Sequence, residues 1–122
     1  MDATLSELQL ELMQVLWRQG EATTAEVAQA LRPARDLAHT TVATLLSRLE
    51  KRGLVASQRV ARALVYRPLV AQAEVKRAMT GGLLDRLYAG RPSQLLSHLL
   101  DERRVDEAEL AELRRLLKKH RE

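Results

Sequence analysis

Asp36 to Gly53, DLAHTTVATLLSRLEKRG, is the stretch on which the fold turns. Val42, Leu45, Leu46 and Leu49 recur at i, i+3, i+4 and i+7, which is one face of a helix and a poor match to the alternation of a strand. The spacing predicts a helix over 37–52. Its other face carries small hydroxyls first (Thr40, Thr41, Thr44) and long cations later (Arg48, Lys51). Gly53 supplies a left-handed stop, and Lys51 and Arg52 sit against the negative end of the helix dipole. A helix of this kind fits a DNA major groove, with short side chains near base edges and cations within reach of phosphate. The same pattern suits an amphipathic helix with a solvated polar face. The neighbouring segments decide between them.

Upstream, two start signals stand in order. Ser6 with Gln9 forms the first capping box, ahead of Leu8, Leu12, Val15 and Leu16 at helical spacing; Gln19-Gly20 ends that helix. Trp17 continues the apolar stripe and is read as a core anchor. Thr23 with Glu26 opens a short helix over 24–31, which Pro33 forbids from continuing. Helix, turn, and helix with a basic face is the order of a helix-turn-helix.

Downstream of Gly53 the period changes from 3.6 to 2. Leu54–Val60 and Ala63–Arg67 read as two strands joined near Ala61-Arg62, with Pro68 as the end. A hairpin behind a recognition helix is a wing. Arg59, Arg62 and Arg67 give it cations at tip and edges, and Tyr66 is expected to pack in the core.

Charge follows the same plan. Residues 1–31 hold one Arg against five acids, residues 32–69 hold eight Lys or Arg against Asp36 and Glu50, and residues 70–122 hold eleven against nine. The net +4 is therefore concentrated around the candidate recognition helix and wing, as expected of a polyanion binder. With one Trp, two Tyr and no Phe, the core must be built from Leu, Val and Ala, which favours helices. The chain has no Cys, which removes disulfides, thiolate metal sites and thiol catalysis. No apolar run is long enough to insert in a membrane and no signal segment is recognisable, so a cytoplasmic protein is expected.

Residues 70–122 show three helical patterns and no strand signal. The first, from about Val70 to Tyr88, contains Gly81-Gly82, expected to weaken or bend it. The second is Ser93–Asp101, after Gly90-Arg91-Pro92, and carries Leu95, Leu96, Leu99 and Leu100. The third opens at Asp106 and presents Leu110, Leu113, Leu116 and Leu117. Helices this short hold too little core to stand alone, and the simplest partner for their leucines is a second copy of the chain. The expected organisation is mainly α with a small β-hairpin wing: a winged helix-turn-helix in 1–69 and a helical dimerisation region in 70–122.

Together these motifs resemble the penicillinase-repressor family of bacterial transcription regulators, the BlaI/MecI type. The resemblance rests on Leu5-Ser-Glu7, Met13 and Leu16-Trp17, then on Thr40-Thr-Val-Ala-Thr44-Leu-Leu-Ser-Arg48-Leu49 with Lys51-Arg-Gly53, then on Tyr66-Arg-Pro68, Leu95-Leu96 and Glu109–Leu113. It implies a homodimer that binds palindromic double-stranded operators, built from TACA/TGTA half-sites, and represses genes in a β-lactam-resistance or cell-envelope-stress circuit. It also implies a membrane-bound sensor protease that cuts an Asn-Phe bond in the C-terminal region. Here Ser97-His98 stands at that place. The cysteine pairs of the related copper-responsive repressors have no counterpart.

The DNA-contacting set expected from these readings is His39, Thr40, Thr41, Thr44, Arg48, Lys51 and Arg62. The dimerisation set is Leu95, Leu96, Leu99, Leu110, Leu113, Leu116 and Leu117. No cofactor, metal site or catalytic residue is expected: His39, His98 and His120 share no motif, and P-loop, dinucleotide and nucleophile-elbow signatures are missing. His98 is expected in an interface and His120 in solvent. Two other functions suit the same elements. One is a MarR-like regulator with a small-molecule pocket; the other is a winged-helix adaptor that binds protein and never touches DNA.

Overall fold

The computed structural model describes residues 4–121. In chain order the elements are α1 (Glu7–Gln19), β1 (Ala22–Thr23), α2 (Thr24–Leu31), α3 (His39–Lys51), β2 (Val55–Val60), β3 (Ala63–Pro68), α4 (Gln72–Leu87), α5 (Pro92–Asp101) and α6 (Glu107–Arg121). They fall into two compact units, one running through Thr80 and one from Gly81 onward.

The first unit is a winged helix-turn-helix built on both predicted capping boxes. The Ser6 hydroxyl accepts the Gln9 N–H while the Gln9 side chain accepts the Ser6 N–H, and Thr23 and Glu26 repeat the exchange. Each such cap contributes about 1 kcal/mol. Gly20, at φ +83°, ends α1. α3 ends in a Schellman motif: Gly53, at φ +77°, donates its N–H to Glu50 and Leu54 donates to Leu49. α3 starts at His39, two residues later than the spacing predicts. Ala38 at its N-cap has no side chain able to cap, and Leu37 packs against the core.

The three helices enclose one core. Leu12, Met13, Val15 and Leu16 of α1 meet Val27 and Leu31 of α2, and Val42, Leu46 and Leu49 of α3. Burying each of these aliphatic side chains is worth about 1.5–3 kcal/mol, and this anchors the inner face of α3. Trp17 lies against the same core and donates its indole N–H to the Val70 carbonyl at 2.9 Å. Val75 of α4 is fully buried there too, so the first half of α4 belongs to this unit.

The hairpin has the predicted register, with Val60 opposite Ala63 and the turn at Ala61-Arg62. The sheet has a third strand that the sequence does not advertise. β1 pairs antiparallel with β3, Ala22 opposite Tyr66, giving the order β1-β3-β2. Two residues are too few to show an alternation. α4 is a continuous helix through Gly81-Gly82, with the Arg86 guanidinium donating back to the Gly82 carbonyl at 3.2 Å.

In the second unit Pro92 occupies the first turn of α5, and Arg103 closes that helix at φ +56°. Asp106 caps α6 by accepting the Glu109 N–H at 2.8 Å. Among the described residues α5 and α6 bury no side chain. No helix among the described residues is long and apolar enough to cross a membrane.

Candidate nucleic-acid interface

His39, Thr40, Thr41, Thr44, Arg48 and Lys51 are all exposed along the outer side of α3, opposite its buried Val42, Leu46 and Leu49. Thr40, Thr41, Thr44 and Arg48 line a shallow groove on this side. The Thr44 hydroxyl donates to the Thr40 carbonyl at 3.0 Å. That bond occupies its proton and leaves the oxygen lone pairs able to accept, suited to an exocyclic amine. Among the described residues Arg48 and Lys51 form no ion pair.

The wing is brought to the same side. Arg62 sits in the hairpin turn and Arg59 lies opposite Leu64, on the strand face that also carries Ser57 and Tyr66. Arg59, Arg62 and His39 line one depression, whose floor includes Ala43 of α3 and whose far wall is Thr23-Thr24 at the start of α2. Arg67 pairs with Ala56 one position away, so the pleat sends it to the other face of the hairpin.

Two groups missing from the sequence-derived set lie at this side of the molecule. Arg59 is one; strand alternation from Ser57 was the signal that would have included it. Glu50 is the other. Its carboxylate accepts both the backbone N–H (2.9 Å) and the hydroxyl (2.6 Å) of Ser57, tying the last turn of α3 to β2. No sequence signal marks that pair. Tyr66, packed at 3% exposure, has its hydroxyl pushed up by burial, with the Glu50 charge adding to the effect.

Not every cation of 32–69 is available to a polyanion. Arg35 is held by Glu11 at 2.6 Å and by Glu7 at 3.6 Å, and Arg32 pairs with Asp36. Arg52 donates to the Thr4 carbonyl at 2.7 Å and to Gln9 at 3.3 Å, fastening the end of α3 to the start of α1. These are joints of the fold, and the remaining exposed cations lie on α3 and the wing.

The leucines of the dimerisation set are placed on α5 and α6. Leu95, Leu99, Leu110 and Leu113 are half-buried, while Leu96, Leu116 and Leu117 are 39%, 37% and 55% exposed. His98, on α5, lies 3.4 Å from Glu102 and meets Tyr88 edge-on at 6.2 Å between ring centroids. His120 is exposed on α6.

Comparison with known proteins agrees with this geometry. The Penicillinase repressor family profile matches residues 5–119. The chain is 37% identical over 115 residues to the transcriptional regulator BlaI of Mycobacterium tuberculosis, covering 93% of this chain and 82% of that protein. It is 26% identical over 117 residues to the penicillinase repressor of Bacillus licheniformis, covering 96% of this chain and 91% of that one. The solution structure of the DNA-binding domain of the repressor BlaI superposes with a TM-score of 0.54 at 28% identity, over 61% of this chain and 90% of that domain. The profile spans both compact units, α1 through α6, and on that ground the chain belongs to the penicillinase repressor family of transcriptional regulators, which are not enzymes.

Proposed function

We propose that the protein is a homodimeric, sequence-specific repressor that binds palindromic double-stranded operators in the cytoplasm. In this reading residues 1–69 form the DNA-binding domain and residues 70–122 the dimerisation domain. Thr40, Thr41 and Thr44 meet base edges, while His39, Arg48, Lys51 and Arg62 meet phosphate. The observation that carries the reading is the exposed outer face of α3, hydroxyls then cations, lying beside a basic wing tip. That order suits major-groove readout, with short groups at base edges and cations at phosphate, better than it suits an adaptor for proteins. Family membership favours the repressor over a MarR-like ligand-responsive regulator.

Dimerisation is supported by the second unit, whose α5 and α6 bury no side chain among the described residues and expose Leu96, Leu100, Leu116 and Leu117. Two half-sites read by one body gain affinity through effective concentration, and two-fold symmetry sets them about one helical turn apart. A gel shift over the protein's own promoter region, paired with sedimentation of the full chain, tests both parts. The expected result is a retarded complex that scrambled duplex does not compete away, and a dimer at micromolar concentration. A monomer that binds equally tightly would contradict the dimeric reading.

A further inference from the structure

His39, Arg59 and Arg62 come from three separate places in the sequence, the start of α3, the outer half of β2 and the hairpin turn, yet they line one depression. Its remaining walls bring no negative charge. Thr23, Thr24 and Ala25 come from the start of α2, and Ala43 from α3. The nearest acid on α2, Glu26, is folded back onto the Thr23 N–H at 2.8 Å, and Asp36, before α3, is paired with Arg32. Among the described residues Arg59 and Arg62 form no ion pair. Two guanidiniums lining one depression without a counter-charge repel one another, as does the imidazole when protonated, and an anion placed between them removes that repulsion.

We propose that His39, Arg59 and Arg62 together form a single-phosphate site that holds one backbone phosphodiester of bound DNA between α3 and the wing, and that this site makes DNA affinity rise with protonation of His39. The proposal rests on the repressor reading above and adds two things to it: the three groups share one phosphate, and binding takes up a proton. An imidazolium gains from the phosphate, while a neutral imidazole gains little. Affinity is therefore higher where His39 carries the proton than where it does not. The wing also becomes more than an independent outrigger, because the same phosphate bridges Arg62 at its tip to His39 on α3.

The test measures binding of the full chain to labelled promoter and scrambled duplexes as a function of salt, at about pH 6 and about pH 8. It compares the wild type with His39→Gln and with the triple variant His39→Gln/Arg59→Gln/Arg62→Gln. All three positions are exposed, and circular dichroism verifies that each variant folds. One shared phosphate predicts that the triple variant loses about 0.9 from the salt slope per protomer, against about 1.8 or more for separate contacts. Wild-type affinity should fall by up to about tenfold per protomer between the two pH values, an average uptake of about half a proton, and His39→Gln should abolish the fall. A slope loss near about 1.8 or above, no slope loss, or a wild-type affinity indifferent to pH overturns the shared site and leaves the repressor reading standing. Failure of the wild type to bind either duplex overturns both.

Discussion

The Glu50 carboxylate accepts two hydrogen bonds from Ser57, one from its backbone N–H and one from its hydroxyl, and so joins the recognition helix to the wing. Glu50 lies in the last turn of α3 and Ser57 in the first half of β2, before the Arg59 and Arg62 end of the hairpin, so a tilt at this joint is magnified at those two residues. Glu50→Ala should free the Ser57 amide, whose protection from hydrogen exchange depends on that carboxylate, and cost about 1 kcal/mol of stability. Ser57→Ala keeps the amide bond and should cost less. Unchanged exchange at Ser57 in Glu50→Ala would show that the joint does not hold the wing.

Arg48 on α3 and Arg52 at its C-cap, four residues apart, should behave oppositely. Arg52→Ala removes the bonds to the Thr4 carbonyl and Gln9 and should cost about 1–2 kcal/mol in urea unfolding, with the salt slope of DNA binding intact. Arg48→Ala should leave stability within about 0.5 kcal/mol and flatten the salt slope by about 0.9 per protomer. A loss of slope without a loss of stability in Arg52→Ala would mean that its bonds to α1 yield to phosphate.

The α2 cap makes a pH-dependent contribution. The Thr23 backbone N–H and hydroxyl hold the Glu26 carboxyl below the usual carboxylate range. A lowered folded value means that the stabilisation is fully present above the ordinary carboxylate range and is lost as pH falls through the folded value. The melting-temperature advantage of the wild type over Glu26→Gln should therefore persist at neutral pH and shrink below about pH 4. An advantage that grows on acidification would contradict the hydrogen-bonded cap.

Ser97-His98 should resist a sensor protease whose pockets are shaped for Asn and a large aromatic side chain. Filled by Ser and His, such pockets leave buried polar groups unpaired. His98 is also engaged with Glu102 and lies edge-on to Tyr88. Incubation of the chain with a family sensor and its β-lactam, followed by mass spectrometry, should return the intact mass. Efficient cutting at Ser97-His98 would show that the pair is an acceptable substitute.

The winged helix-turn-helix was legible because its signals are local. Ser6 with Gln9, Thr23 with Glu26, and Gly53 each act within one helical turn, and the change of period after Gly53 marks the hairpin. What was not legible depends on residues far apart in the chain. Ala22-Thr23 becomes a strand only because Tyr66 and Val65 lie beside it. Arg52 reads as one more cation of a basic helix until Thr4 and Gln9, 48 and 43 residues away, turn it into a joint. The α3 leucines and the polar face were readable from periodicity alone. The convergence of Arg59 with His39 required the β2–β3 register and the packing of the wing on the helices.

If the hydroxyls of α3 read bases, Thr44 is the residue at which the effect is largest and cleanest. Its proton is committed to the Thr40 carbonyl, so its oxygen lone pairs are what it offers to a base edge. Fluorescence anisotropy of the wild type and Thr44→Ala, on promoter and scrambled duplexes at one salt concentration, separates base readout from backbone attraction. Thr44→Ala should lose about 1–3 kcal/mol on the promoter duplex and less than about 0.5 kcal/mol on the scrambled one. Equal losses on the two duplexes would contradict base readout by α3.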